Sequence, residues 1–182
     1  MVYLANDSFS PKDAKRILVS AQQSVTPDIV VRDARVSELF VELDCSLPEG
    51  ETLDELLSGL SKISAPTGHE EIREVHLDKE GSMARAIQCF NSQKYWSAHE
   101  ALEQVWRTAI GSEKALLNGI ILAAAALVHF QKDETEICLS ILKRAEAKLH
   151  DASGSYHAID IKALKANISQ ILTSGTITIF SI

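Results

Sequence analysis

The sequence predicts an α+β chain in two parts, a small four-stranded plait followed by a five-helix all-α bundle. Three observations predict it. Short β-prone runs alternate with two well-capped helical stretches up to His76. After Lys79-Glu80-Gly81 the apolar spacing turns helical and stays so for most of the remaining chain. The last residues, Thr176 to Ile182, return to a Thr/Ile alternation that favours extended chain.

Val2 to Ala5 is the first strand candidate. Ser10-Pro11-Lys12-Asp13 then reads as a helix start, with Ser10 as cap, Pro11 at the first helical position and Asp13 near the positive end of the dipole. Ala14, Ile17, Leu18, Ala21 and Val25 follow helical spacing until Pro27. Two β-rich runs follow, Asp28 to Val31 and Leu39 to Leu43, close enough to form an antiparallel hairpin. In the second run Leu39, Val41 and Leu43 fall on one face and Phe40 and Glu42 on the other. Thr52-Leu53-Asp54-Glu55 is a capping box that opens a helix with Leu53, Leu56, Leu57 and Leu60 on one stripe. Ser64 to Gly68 is expected to break the chain, and Ile72 to Leu77 to form the last strand. Lys12, Lys15, Arg16, Arg32 and Arg35 are expected on solvated faces. The order β-α-β-β-α-β is that of a ferredoxin-like plait over residues 1–79.

From residue 80 to 175 the expected helices are Ser82 to Asn91, Tyr95 to Ile110, Ser112 to about Gln131, a fourth opened by Asp133-Glu134-Thr135-Glu136, and a fifth carrying Ile161, Leu164, Ile168 and Ile171. Gly111 and Gly175 suit helix ends. Gly119, Ala123 and Ala126 form a strip of small residues that would let another helix approach closely. The tail at 176–182 is expected to be a strand added to the N-terminal sheet, in its own chain or in a partner, because an unpaired apolar strand must pair or aggregate. A homo-oligomer, most simply a dimer, follows from the second possibility.

The formal net charge of −7 disfavours general nucleic-acid binding. Three scattered cysteines, Cys45, Cys89 and Cys138, form no CxxC pair and suggest a reducing compartment. Met1 to Asn6 lacks the pattern of a signal peptide. The longest nearly apolar run, Gly119 to Phe130, is shorter than the roughly 20 residues that span a bilayer. A cytoplasmic protein with no membrane partner is therefore expected.

The chemistry-bearing residues gather between Phe90 and Arg107. On a helix, Tyr95, His99, Leu102, Glu103 and Trp106 share one face, and Glu100 lies about a quarter turn away. In the next helix Asn118 and His129 share a face. Packed antiparallel, the two helices would bring His129 toward Tyr95 and His99. His99, Glu103 and His129 could then hold a divalent metal, since a histidine and a carboxylate at i, i+4 reach one ion. His99, Glu100 and Glu103 are the candidates for acid–base catalysis in a hydrolase-like enzyme, although no GxSxG or cysteine marks a nucleophile. In the alternative, Tyr95, His99, Glu103, Trp106, Asn118 and His129 form a polar cluster that binds a ligand or ties helices together in an interaction or scaffold module.

Phe90-Asn91, Tyr95, His99-Glu100, Leu102-Glu103 and Trp106-Arg107, followed by Gly111, Lys114, Gly119 and His129, resemble the signature of the domain-of-unknown-function family 309, small all-helical proteins of bacteria and archaea. The resemblance covers roughly residues 82 to 150. It implies a shared polar cluster of Tyr95, His99, Glu100, Glu103, Trp106 and His129. The chain departs from that pattern at Gln93, where glycine is usual, at Ser97, where an acidic residue is common, at Leu122, where glutamine is common, and at Ile137.

Overall fold

Alternation in the N-terminal strands sorts their side chains onto two faces. The strands are β1 (Val2–Ala5), β2 (Val30–Val36), β3 (Phe40–Ser46) and β4 (Pro66–His69). They form one sheet in the order β2-β3-β1-β4 with every neighbouring pair antiparallel, which is the split βαβ connectivity expected from the sequence. A computed structural model describes residues 1–72 and 77–182. The strand expected at Ile72 to Leu77 therefore lies largely outside the described residues. The edge strand falls instead on the stretch expected to break the chain. An edge position has no ladder bond to lose at Pro66, which opens the strand, and the register with β1 shifts between Tyr3 and Leu4.

The helices α1 (Ala14–Ser24) and α2 (Leu53–Leu60) cover one face. Val2, Leu4, Val36, Val41 and Leu43 form its core with Ile17, Ala21, Leu56 and Leu60. A short 3-10 turn, Pro11–Asp13, precedes α1, and the expected cap is built by the acid rather than the serine. The Asp13 carboxylate accepts the Ser10 N–H at 2.9 Å and the Arg16 guanidinium at 2.8 Å, and these bonds, Arg16 first, pull its carboxyl down to about 2. The capping box at Thr52 forms as expected, with the Glu55 N–H donated to the Thr52 hydroxyl and the Thr52 N–H to the Glu55 carboxylate. Gly59 permits close packing of α2 on α1, since a Cβ there would stand 2.5 Å from the Ser24 carbonyl oxygen.

On the other face, Tyr3 meets Phe40 edge-on at 5.2 Å, and Arg35 lies opposite Glu42 across the β2–β3 pair. Arg35 is 1% exposed and Glu42 2%, which corrects the expectation of a solvated Arg35. Its Nε donates to Glu42 Oε1 at 2.5 Å and its Nη1 to Asp33 Oδ2 at 3.1 Å. This sheet unit comprises Met1–Glu74 together with Gln131–Asp133.

The second unit, Val75–Phe130 with Glu134–Ile182, contains α3 (Lys79–Asn91), α4 (Tyr95–Thr108), α5 (Gly111–Phe130), α6 (Thr135–Leu149) and α7 (Ile161–Ser174), with a small hairpin of β5 (Ser155–Tyr156) and β6 (Ile159–Asp160) before α7. α4 packs on α3 and α5, α5 on α6, and α6 on α7. Gly111 opens α5 with φ 59° instead of closing α4, which makes α5 a 20-residue helix. By length and composition α5 could cross a membrane, a length that the shorter apolar run does not suggest. In this unit Leu117, Ile120, Ala123, Ala124 and Leu127 of α5 are buried in the shared core. The small-residue strip works as expected, since a Cβ on Gly119 would stand 2.6 Å from Leu149 Cγ of α6.

The tail at 176–182 forms no strand, and the N-terminal sheet has four strands without it. Ile177, Phe180 and Ile182 pack on the helical core, with the Phe180 ring 5.5 Å from Phe90. The Asn91 amide takes the place of a partner strand. It accepts the Ile182 N–H at 2.9 Å and donates to the Ile182 main-chain oxygen at 3.2 Å. The apolar side chains of the tail and the main chain of its last residue, Ile182, are thus both held by the helical unit. Gly175 closes α7 in the left-handed conformation, as expected.

Candidate functional site on helix α4

α4 begins after a turn in which Gln93 holds φ 60°, a left-handed value that glycine adopts without cost. The departure from glycine noted in the sequence therefore falls at a position where glycine has a conformational use. Along α4, Ala98, Ala101, Leu102 and Val105 are buried and set the inward face. That leaves His99, Glu100 and Glu103 along the edge of the helix, where they are half-buried or exposed.

The His99 ring stacks on Trp96, one turn earlier, with centroids 5.9 Å apart and planes inclined by 15°. His99 Nδ1 lies 3.4 Å from Glu100 Oε1, and Nε2 lies 3.8 Å from Glu103 Oε1. Nδ1 is buried and makes no hydrogen bond among the described residues. Arg107, one turn beyond Glu103, stands 3.9 Å from its other carboxylate oxygen. One ligand atom each from His99, Glu100 and Glu103 lie within 4.8 Å of one another. Among the described residues this is the group of histidine and carboxylate donors placed to share an ion.

The structure divides the polar cluster expected from the sequence. His99, Glu100 and Glu103 come together, and Trp96, which helical spacing alone assigns to plain packing, supports the imidazole. His129, expected beside His99 and Glu103, lies outside the group of His99, Glu100 and Glu103. Its Nδ1 is held 2.5 Å from Glu134 Oε2, across the turn between α5 and α6. Glu100 is the third member of the group. Tyr95 is fully buried, its ring edge-on to Phe90 at 5.1 Å, so it serves the core. Trp106 is covered by Lys114, whose Nζ lies 4.4 Å from the ring centroid. The Trp106 indole N–H is buried with no acceptor among the described residues. Asn118 is half-buried on α5, with no hydrogen bond to the α4 group among the described residues. Glu134 and Lys114 were missed as partners because each approaches from another helix. The spacing of Trp96 and His99, three apart on one helix, could have revealed the stack.

As placed, Glu103 Oε1 lies 3.8 Å from His99 Nε2, longer than a hydrogen bond. Burial pushes the Cys138 thiol up to about 12 and the Cys45 thiol to about 11, so neither is an activated nucleophile.

The model of the family described as "Domain of unknown function (DUF309)" matches residues 83–141, within the segment that carries the sequence resemblance. An uncharacterized protein of Aquifex aeolicus (strain VF5) is 28% identical over 101 residues, which are 55% of this chain and 29% of that protein. The match thus spans under a third of that relative's length. A conserved hypothetical protein from Thermus thermophilus, known from a crystal structure, is 29% identical and covers 54% of this chain and 99% of its own, with a TM-score of 0.43.

Proposed function

We propose that the helical unit is a ligand-binding module and that its ligand is a divalent cation held by His99, Glu100 and Glu103. One observation carries the reading. One ligand atom from each of the three residues lies within 4.8 Å of the other two, and neither the Nδ1–Glu100 contact at 3.4 Å nor the Nε2–Glu103 contact at 3.8 Å is closed into a hydrogen bond. A purely structural network would bring these groups to hydrogen-bond distance. Two donors on a tetrahedral zinc-like ion stand about 3.4 Å apart. His99 Nε2 and Glu103 Oε1, at 3.8 Å, reach that spacing with a small rotation of the glutamate. Trp96 holds the imidazole plane and Glu100 supplies the third donor, which leaves the remaining positions to solvent. One imidazole and two carboxylates suit zinc or manganese better than a soft copper(I) ion.

Calorimetric titration of untagged protein with zinc and with manganese tests this. The expected result is one ion per chain, lost in His99→Ala and in Glu103→Gln, with circular dichroism unchanged. Metal at a hundredfold excess over its Kd should add about 2.7 kcal/mol to stability, read as a rise in Tm that both variants abolish. Titrations showing no stoichiometric binding, or equal binding in both variants, would overturn the proposal.

A further inference from the structure

The α4 group has a basic neighbour on its C-terminal side. Arg107 follows Glu103 by one turn, and side chains on a helix lean toward its N-terminus, so the guanidinium reaches back toward the cation site proposed above. Its Nη2 stands 3.9 Å from Glu103 Oε2, while Glu103 Oε1 stands 3.8 Å from His99 Nε2. The Glu103 carboxylate thus separates the imidazole from the guanidinium. The Arg107 side chain is 64% exposed and makes no hydrogen bond among the described residues.

A second cation approaches from the next helix. Lys114, in the first turn of α5, holds its Nζ over the Trp106 ring, and no carboxylate pairs with it among the described residues. Glu113, its neighbour in sequence, is already engaged by the Lys79 ammonium and by the Tyr156 hydroxyl at 2.8 Å. Trp106 and Arg107 adjoin on α4, so both cations stand at the same end of that helix.

These positions set the charge beside a bound ion. A divalent ion on His99, Glu100 and Glu103 is offset by the two carboxylates, because a ligating imidazole is neutral. Arg107 and Lys114 then remain as the cations next to it. Three protein donors also leave coordination positions open. A ligand that fills an open position and also pairs with a guanidinium must carry several acceptor oxygens. A phosphate group does both, since guanidinium and phosphate match through two parallel hydrogen bonds. The spacing allows it: an ion about 2 Å from Glu103 Oε1 and a guanidinium 3.9 Å from Oε2 are near enough for one phosphate group to touch both.

We infer that the α4 site takes a phosphate group, with one oxygen on the ion, others on Arg107, and Lys114 adding attraction at longer range. The inference rests on the cation reading above and names the ligand of that site.

The full chain, loaded with manganese, is titrated with methylphosphonate, which stands for the free ion, and with phenylphosphonate, which stands for an ester. Acetate is the control. Phosphorus NMR reads the approach directly, because manganese broadens the resonance of a phosphonate bound to it. Broadening should saturate for at least one phosphonate and exceed that from the same concentration of free manganese. Tighter binding of the phenyl compound identifies an ester, and equal binding the free ion. Arg107→Gln should weaken phosphonate binding roughly tenfold. It should leave manganese affinity unchanged or tighter, since it removes a positive charge beside the ion. Lys114→Gln should weaken phosphonate binding about twofold. An Arg107 that served only the C-terminal end of the helix dipole would lower Tm on substitution and leave phosphonate affinity unmoved. Absence of stoichiometric manganese or zinc overturns this inference together with the cation reading. Three results with metal bound overturn this inference alone: no broadening at millimolar phosphonate, acetate bound as tightly, or phosphonate affinity unchanged in Arg107→Gln.

Discussion

Arg35 and Glu42 face each other across β2 and β3 with almost no exposure, which makes them the costliest pair of residues in the sheet unit to disturb. Burying two charges is compensated only while both are present, and one Glu42 oxygen already lies buried with no hydrogen bond. Arg35→Ala would leave the carboxylate alone in that environment. It should cost about 3–5 kcal/mol, read as a lowered urea midpoint with circular dichroism unchanged below the transition. The double variant Arg35→Met with Glu42→Leu should recover most of that loss, because neither charge remains to be desolvated. Equal losses in the single and double variants would show that packing, and not charge, dominates the site. This pair was not legible in the sequence. Alternation places Glu42 on the face away from Val41 and Leu43, but the expected strand ends at Val31, so Arg35 falls outside it and reads only as a solvated charge.

The packing of α5 on α6 turns on one position. Gly119 faces Leu149, a fully buried residue with little room to move, and the gap admits no side chain. Gly119→Val should therefore cost about 2 kcal/mol by overpacking, measured by chemical denaturation. A stability equal to wild type would mean that α6 can shift away. This contact was legible because helical spacing aligns Gly119 with Ala123 and Ala126 on one strip. The α4 group was legible for the same reason, since residues at i, i+1 and i+4 on one helix need no knowledge of the tertiary fold. Long-range features were not. β4 begins at a proline and contains a glycine, and its identity comes from pairing with β1 rather than from its own residues. The pairing of His129 with Glu134 crosses a helix break, where periodicity carries no information.

At the scale of the whole chain, residues far apart in sequence are joined by single contacts that local patterns do not contain. The tail shows this most clearly. Its Thr/Ile alternation correctly describes an extended segment with apolar side chains, but any apolar surface can satisfy such a segment. Here Phe90 and the helical core take up the side chains, and Asn91 takes up the main chain of Ile182 with one donor and one acceptor. Those two hydrogen bonds join residues 91 apart in sequence at an exposed place. Hydrogen bonds in such a setting contribute about 0.5–1.5 kcal/mol each. Asn91→Ala should therefore act on local opening of the tail more than on global stability. In hydrogen exchange, the Ile182 amide should lose about fivefold or more of its protection, whereas core amides of α5 such as Ile120 and Leu127 should keep theirs. Asn91→Asp supplies the acceptor without the donor and should restore part of the protection at Ile182. If the core amides of α5 lose protection along with Ile182, the tail is an integral part of the helical core and not a strap laid upon it. If Ile182 exchanges at the same rate in both variants, the apolar contacts of Ile177 and Phe180 hold the tail without help from the amide.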